Sequence, residues 1–402
     1  MRICSLVPLS FLLLACAEKN AVRTGPCDSD NAGLKLPAGF CARVYADKVG
    51  AARHLAVAAN GDVWVALQDA GGIIVLRDRN GDGRADTTVK VFSEAGSGIA
   101  LLGDTLWFST PSTVYRFRID PSRFGGLLDK TVIVHDMPTG GHSSRSLALG
   151  DSTILYANVG SDSNVCGGED PCVELSTRAS IWKFDRNTQN QTQFEGERFA
   201  SGIRNAVGLV WNENLHSLFA TQHGRDGLDD EDLPSEVFVR VTKGADYGWP
   251  YCYHDWRRNK NVLAPEYSGD GAKEGRCTSA AKPLMGFPGH WAPNGLIFYN
   301  GSMFPARYQG GAFIAFHGSW NRRHHDGYKV AFVPFNGAMP AGDYEIFADG
   351  FAGRRKSPSG ARHRPVGMAV ARDGSLYITD DQRGRIYNVR WNESKNDSPR
   401  GR

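Results

Sequence analysis

Short apolar runs separated by polar or glycine-containing turns recur along the whole 402-residue chain. Each passage reads as a strand, a turn, a second strand with aromatics, a glycine-rich turn and a third strand. The first is RHLAVAANGDVWVALQDAGGIIVLRD from Arg53, and the second is GIALLGDTLWFSTPSTVYRFRID from Gly98. Further copies start at Arg145, Arg204 and Asn294, and the sixth, RPVGMAVARDGSLYITDDQRGRIYNVRW, at Arg364. A repeat of about 45 residues or more cannot cover both faces of its own small sheet, and stacking such sheets radially solves that problem. The pattern predicts an all-β chain folded as a six-bladed β-propeller. No stretch shows sustained helical periodicity, and 47 glycines supply the tight turns. The run FCARVYAD, residues 40–47, precedes the first copy and is expected to close the ring against the last.

In such a ring the innermost strands line a central channel, so residues at their starts converge on one mouth. Arg53 with His54, His142 with Arg145, Arg204 with Asn205, and Arg362 with Arg364 occupy those positions. Several arginines around one partly desolvated mouth repel one another unless an anion sits among them. The ring therefore predicts an anion pocket, with His142 as a potential general base. Interblade pairing of each arginine with an acidic neighbour is the alternative.

Composition narrows the partners. Lys and Arg total 46 against 43 Asp and Glu, a net charge of +3 without a basic block, which argues against nucleic acid. The leader MRICSLVPLSFLLLACAEKN ends in LLAC at Cys16, the pattern of a bacterial lipoprotein signal; an ordinary secretory signal is the alternative. The expected organisation is a signal at 1–15, a tether at 16–35, the propeller at 36–392 and a disordered tail at 393–402. Membrane attachment would be through lipid alone, in the periplasm, with Ala17 favouring the outer membrane. Setting aside Cys4 and Cys16, the remaining six cysteines suggest three disulfides. The local pairs Cys27–Cys41, Cys166–Cys172 and Cys252–Cys277 are expected among the 15 possible connectivities. No C-x-x-C spacing favours a metal site instead, and no C-x-x-C-H haem signature occurs.

Six segments together carry a specific likeness: TGGHSSRSLALG, SGIRNAVGLVW, KGADYGWPYCY, AFHGSWNRR, GYKVAFVPF and RHRPVGMAV. The chain resembles the soluble pyrroloquinoline quinone (PQQ)-dependent aldose dehydrogenases, most closely the sorbosone dehydrogenase-like branch, over nearly its whole length. The resemblance implies PQQ across the channel mouth, taking a hydride from a sugar while His142 removes the hydroxyl proton. It implies cofactor contacts from Arg204, Asn205, Arg362 and Arg364. It also implies a calcium ion held partly by the main-chain carbonyls of Gly224 and Arg225, and an external electron acceptor, a quinone or a cytochrome. Two positions depart from the glucose-oxidising branch. Ser161, beside Asp162, stands where that branch orients its histidine with an aspartate, and Asn321 followed by Arg322 stands where it has a cofactor-binding lysine.

A second calcium loop is suggested by DRNGDGRAD, with Asp78, Asn80, Asp82 and Asp86 alternating; Val89 stands where an EF-hand needs its bidentate glutamate, and a plain turn is the alternative. The acidic run 226–236 reads as a solvated loop that could rim the entrance. Two other functions fit a propeller: a non-enzymatic carbohydrate- or protein-binding module at the same mouth, and a calcium-dependent lactonase, which would need convergent acidic ligands on the metal.

Overall fold

A computed structural model describes residues 25–68 and 71–392. The acylation candidate Cys16 and the tail 393–402 lie outside the described residues. The chain forms six four-stranded antiparallel blades. The first comprises Ala52–Val57, Val63–Leu67, Gly72–Arg77 and Thr87–Phe92. The second comprises Gly98–Leu102, Thr105–Ser109, Val114–Ile119 and Leu127–His135, with Gln191–Thr192 added in parallel at its edge. The third is built from Leu147–Leu149, Ile154–Val159, Ser180–Asp185 and Glu197–Ser201, and the fourth from Ala206–Asn212, Ser217–Gln222, Glu236–Val241 and Met285–Phe287. The fifth holds Pro293–Phe298, Ala312–Phe316, Lys329–Val333 and Glu345–Ala348. The sixth joins Pro365–Val370, Leu376–Asp380 and Ile386–Trp391 to Phe40–Ala46.

The first strand of every blade touches the first strand of the next, and that of the sixth touches that of the first, which makes a closed six-bladed β-propeller. The expected closure holds: Phe40–Ala46 pairs antiparallel with Ile386–Trp391, from Phe40 opposite Trp391 to Ala46 opposite Ile386. Closure removes the open sheet edges that a linear stack would leave.

Small residues set the spacing of the inner ring. A Cβ on Gly98 would lie 2.0 Å from the Arg145 carbonyl oxygen of the next blade, and one on Gly367 would lie 2.4 Å from that of Arg53. Glycine is needed there because neighbouring backbones approach too closely for any side chain. Hydroxyls then staple blade to blade: Thr221 Oγ1, on the second strand of the fourth blade, donates to the Pro293 carbonyl at 3.1 Å, and Ser146 Oγ, at the entrance to the third blade, donates to that of Val207 at 2.5 Å. The blades bury apolar faces against each other. Phe40 meets Phe304, Tyr308 and Phe347 edge-on at 4.8–5.2 Å between ring centres, a favoured aromatic geometry.

All three expected disulfides form, Cys27–Cys41, Cys166–Cys172 and Cys252–Cys277. Residues 27–35 are fastened to the propeller by Cys27–Cys41, by Asp28 N–H bonding the Ala42 carbonyl at 3.0 Å, and by a bridge from Lys35 to Asp349. The other two disulfides lie in insertions after Val159 and after Val241, which meet where the Trp249 indole N–H donates to the Asn164 carbonyl.

Candidate active site

A cavity of about 250 Å³ opens where the inner strands begin. Arg53, His142, Arg204, Asn205, His223, His317 and Arg364 contribute to its walls, so residues from five blades or their entrances meet as the repeat pattern implied.

On the side of the third and fourth blades, His142 hangs from the Gly140–Gly141 turn. A Cβ on Gly141 would sit 2.4 Å from the Asp162 Cα, so the turn needs glycine to lie against the 160–162 segment. His142 Nδ1 is 2.9 Å from the Ser161 carbonyl oxygen and 3.0 Å from Ser161 Oγ, whose own proton goes to the Ser163 carbonyl at 2.7 Å. Both groups facing Nδ1 can therefore only accept. Nδ1 carries the proton, and the Nε2 lone pair is left for the cavity. Burial, and secondarily the Arg204 charge, push the His142 pKa below its ordinary value, so the ring is neutral at neutral pH. The orienting function expected of an aspartate falls to Ser161, while Asp162 turns to Arg178 at 3.6 Å.

Arg204 is 4% exposed and nearly saturated. It donates to the Gly224 carbonyl at 2.8 Å, to Asn164 Oδ1 at 3.0 Å and to Asp226 Oδ2 at 3.1 Å. Asn164 belongs to the insertion pinned by Cys166–Cys172, and its carbonyl also receives the Trp249 indole N–H at 2.9 Å from the other insertion. Asn205 keeps a buried Oδ1 without a partner. A Cβ on Gly160 would lie 2.6 Å from that of His142 and 3.2 Å from Asn205 Oδ1, so Gly160 is what lets the two stand together.

On the side of the fifth, sixth and first blades, Arg53 pairs with Asp381 at 2.8 Å, and His317 Nε2 meets the other Asp381 oxygen at 2.7 Å. Burial opposes ionisation of Asp381, but His317 and Arg53 outweigh it and hold the carboxyl well below its ordinary value. Arg53 Nε is buried and unpartnered. Arg364 donates to the main-chain carbonyls of His317 at 3.1 Å and Gly318 at 2.7 Å, and no carboxylate is in ion-pair contact with it among the described residues. Across the channel, His54 places its ring nitrogens 3.0 Å from the Ser97 and Asn294 carbonyls.

Glu236, 2% exposed, accepts the N–H groups of Gly224 at 3.0 Å and Ala292 at 3.3 Å, tying the 222–226 turn to the fifth blade. Burial pushes its pKa up to about 8. His223, whose Nε2 is buried without a partner, is depressed by burial to about 3 and is neutral. Sequence reasoning missed His223, His317 and Asp381 as channel residues. The repeats held the signal: each directly follows the second strand of its blade, at 217–222, 312–316 and 376–380.

Not every expected residue joins the cavity. Asn321 lines it and donates to Asp226, but Arg322 turns away to Asp232 at 2.7 Å and the Gly289 carbonyl at 2.8 Å. Arg362 is exposed outside the lining, because it stands at a bend ahead of the Pro365–Val370 strand, where its N–H is tied to the Ala352 carbonyl at 2.9 Å. Arg145 is wholly buried and bonds the carbonyls of Pro138, His142 and Ser144, a scaffold role. Gly224 and Arg225 sit at the turn beside Arg204; the Gly224 carbonyl already holds that guanidinium, and the Arg225 side chain pairs with Glu266. The 78–86 loop lies away from the channel, between strands of the first blade. Asp78 accepts the N–H groups of Gly81 and Gly83, each at 2.7 Å, and Asp86 those of Arg79 and Asn80 at 2.8 and 3.2 Å. Asn80 Oδ1 takes the Asp82 N–H at 2.8 Å, and Asp82 Oδ1 takes the Arg84 N–H at 2.8 Å, so these side chains organise the turn itself.

Comparison with known proteins agrees with this architecture. The TrAA12-like family model matches residues 34–392. A PQQ-dependent pyranose dehydrogenase of Coprinopsis cinerea is 25% identical over 59% of the chain and 38% of its own length. An uncharacterised protein of Borreliella burgdorferi is 30% identical over 62% of the chain and 60% of its own length. The chain thus spans well under two thirds of these relatives. The calcium structure of a Trichoderma reesei carbohydrate-active enzyme of family AA12 superposes with a TM-score of 0.78 at 20% identity, covering 89% of this chain and 97% of that one. The match over nearly all of the propeller shows that the chain belongs to the TrAA12-like family.

Proposed function

We propose that this protein is an exported PQQ- and calcium-dependent dehydrogenase that oxidises an aldose, a related aldehyde such as sorbosone, or a sugar alcohol. The observation that carries this reading is His142, neutral, held by Ser161 through Nδ1, with its Nε2 lone pair facing the same cavity as Arg364 and Asn205. PQQ when bound supplies an o-quinone that accepts hydride. The residues present suit its carboxylates, since Arg364 has no acidic partner and Arg53 Nε is an orphaned donor, while the unpaired His223 Nε2 and the acceptor Asn205 Oδ1 call for other polar atoms of a ligand. Such orphans cost free energy unless a ligand satisfies them. A calcium ion would find oxygen donors of the kind it takes in the Gly224 and Arg225 carbonyls and in Asp226.

His142 Nε2 receives the hydroxyl proton of the substrate as the adjacent C–H bond yields its hydride, leaving a lactone from a cyclic aldose. Burial, with the Arg204 charge second, keeps the imidazole neutral, and Arg204 fixes the turn beside it through the Gly224 carbonyl. The two electrons leave to an external quinone or cytochrome. Three disulfides support an oxidising compartment, and the leader supports lipid attachment at Cys16 in the periplasm.

Purified apo-protein titrated with PQQ, with and without calcium, tests the reading. A rise in Tm that needs both additions, followed by dye reduction over a panel of sugars, is expected. Absence of both a bound-cofactor spectrum and dye reduction would overturn it; glycan binding without cofactor would identify a carbohydrate-binding propeller instead.

A further inference from the structure

The active-site cavity opens into a second, outer one of about 880 Å³, and Asp226, His290, Trp320 and Asn321 belong to the walls of both. Trp320 stands at the junction with 63% of its surface exposed. The loop that carries it is fastened on both sides. Tyr328 donates to the Ser319 carbonyl at 2.6 Å, Asp326 N–H donates to Ser319 Oγ at 3.0 Å, and Asn321 crosslinks to Asp226 on the facing loop. An exposed indole carried on a fastened loop is ready to bind at little backbone cost. Beside it, most charges of the outer cavity are committed: Asp230 to Arg257, Glu231 to His324 and Asp232 to Arg322. Asp229 and Arg323 line the same space without a partner among the described residues.

A flat aromatic face next to one free carboxylate and one free guanidinium matches a pyranose ring, which has an apolar C–H face and a hydroxyl edge. The inner cavity, at about 250 Å³, holds little beyond a cofactor and the reacting ring, whereas the outer one is of the size that encloses drug-sized ligands. We propose that the outer cavity is a second sugar subsite, in which Trp320 stacks on the ring next to the reacting one, so that the preferred substrate is an oligosaccharide or glycan end rather than a free monosaccharide.

This inference rests on the dehydrogenase reading, and its test separates the two. With the PQQ-loaded protein, KM is measured for glucose, maltose and maltotriose and for the β-linked series cellobiose and cellotriose. At least one series should show KM falling tenfold or more from one ring to two or three. In Trp320→Ala that length dependence should collapse, and titration of apo-protein with the favoured trisaccharide should quench tryptophan fluorescence only in the wild type. Equal KM at every length in both series, or a length dependence that survives Trp320→Ala, overturns the subsite. Failure to load PQQ or to reduce dye with any sugar would instead overturn the reading beneath it.

Discussion

The two walls of the channel mouth handle positive charge differently. On the wall of the third and fourth blades, Arg204 is paired with Asp226 and capped by Asn164 and Gly224, so its charge is largely consumed inside the protein. On the opposite wall Arg53 shares Asp381 with His317, while Arg364 is held by two carbonyl oxygens and lies over the Tyr328 ring at 5.6 Å, with no carboxylate in ion-pair contact among the described residues. A guanidinium bonded to carbonyls is oriented but not neutralised, so that wall keeps a net attraction for an anion. The first wall carries the proposed base, His142, and the second carries the unspent charge. If the division is real, chemistry and cofactor retention can be lost separately.

The largest separation should come from His142→Ala. Loss of a general base costs about 10²–10⁴-fold in kcat, and PQQ affinity, measured by titration of the apo-protein, should change far less. Equal loss of both would erase the distinction between the walls. In the wild type the base must be neutral, and burial lowers its pKa from 6.5, so the acid limb of kcat/KM should lie below that value.

Asp381→Asn attacks the opposite wall at its foundation. Removing one partner of a buried ion pair costs about 3–5 kcal/mol, because Arg53 and His317 are left facing each other. The carboxyl has a depressed pKa in the folded protein, so its contribution is present above its unfolded value of 3.8 and is lost as pH falls through the lower folded value. The variant should therefore show a lower Tm at neutral pH, with the gap to wild type closing as the medium is acidified. A gap independent of pH would contradict the assigned ionisation.

Arg364→Ala should be milder. It removes charge-assisted hydrogen bonds worth about 1.5–3 kcal/mol, or roughly 10–100-fold in the Kd for PQQ. At saturating cofactor, kcat should fall less than in His142→Ala. The conservative Arg364→Lys should recover only part, since lysine lacks the planar fork.

The ring of blades was legible because six passages repeat one pattern of apolar runs, and the convergence of His142, Arg204, Asn205 and Arg364 followed from topology alone. What escaped was the partnership of charges. Asp381 lies 328 positions from Arg53, and Asp226 sat in a run read as a solvated loop, yet each neutralises an arginine of the mouth. The interblade alternative therefore holds for Arg53, whose partner follows a strand of the sixth blade, but not for Arg204, whose partner Asp226 lies in its own blade, nor for Arg364. Arg322 and Arg362 stand outside the cavity lining for a simpler reason: a step of one or two residues along an irregular loop turns a side chain to the other face, and no repeat fixes that phase. Asp78 to Asp86 showed the reverse limit, where alternating acidic residues serve equally well to cap a turn.

The smallest expected effect tests the local geometry of the first wall. Ser161→Ala removes one of two acceptors at His142 Nδ1 and leaves the carbonyl at 2.9 Å in place, so a neutral hydrogen bond of about 0.5–1.5 kcal/mol is at stake. That corresponds to roughly 2–10-fold in kcat, with the acid limb of the pH profile moving further down. Ser161→Asp should do the opposite. A carboxylate next to Nδ1–H favours the imidazolium, so the acid limb should move up towards neutral pH. Opposite displacements of the limb in the two variants would show that Ser161 acts on the base through Nδ1. Profiles that shift together, or not at all, would mean that the hydroxyl merely fills space and that the main chain alone orients His142.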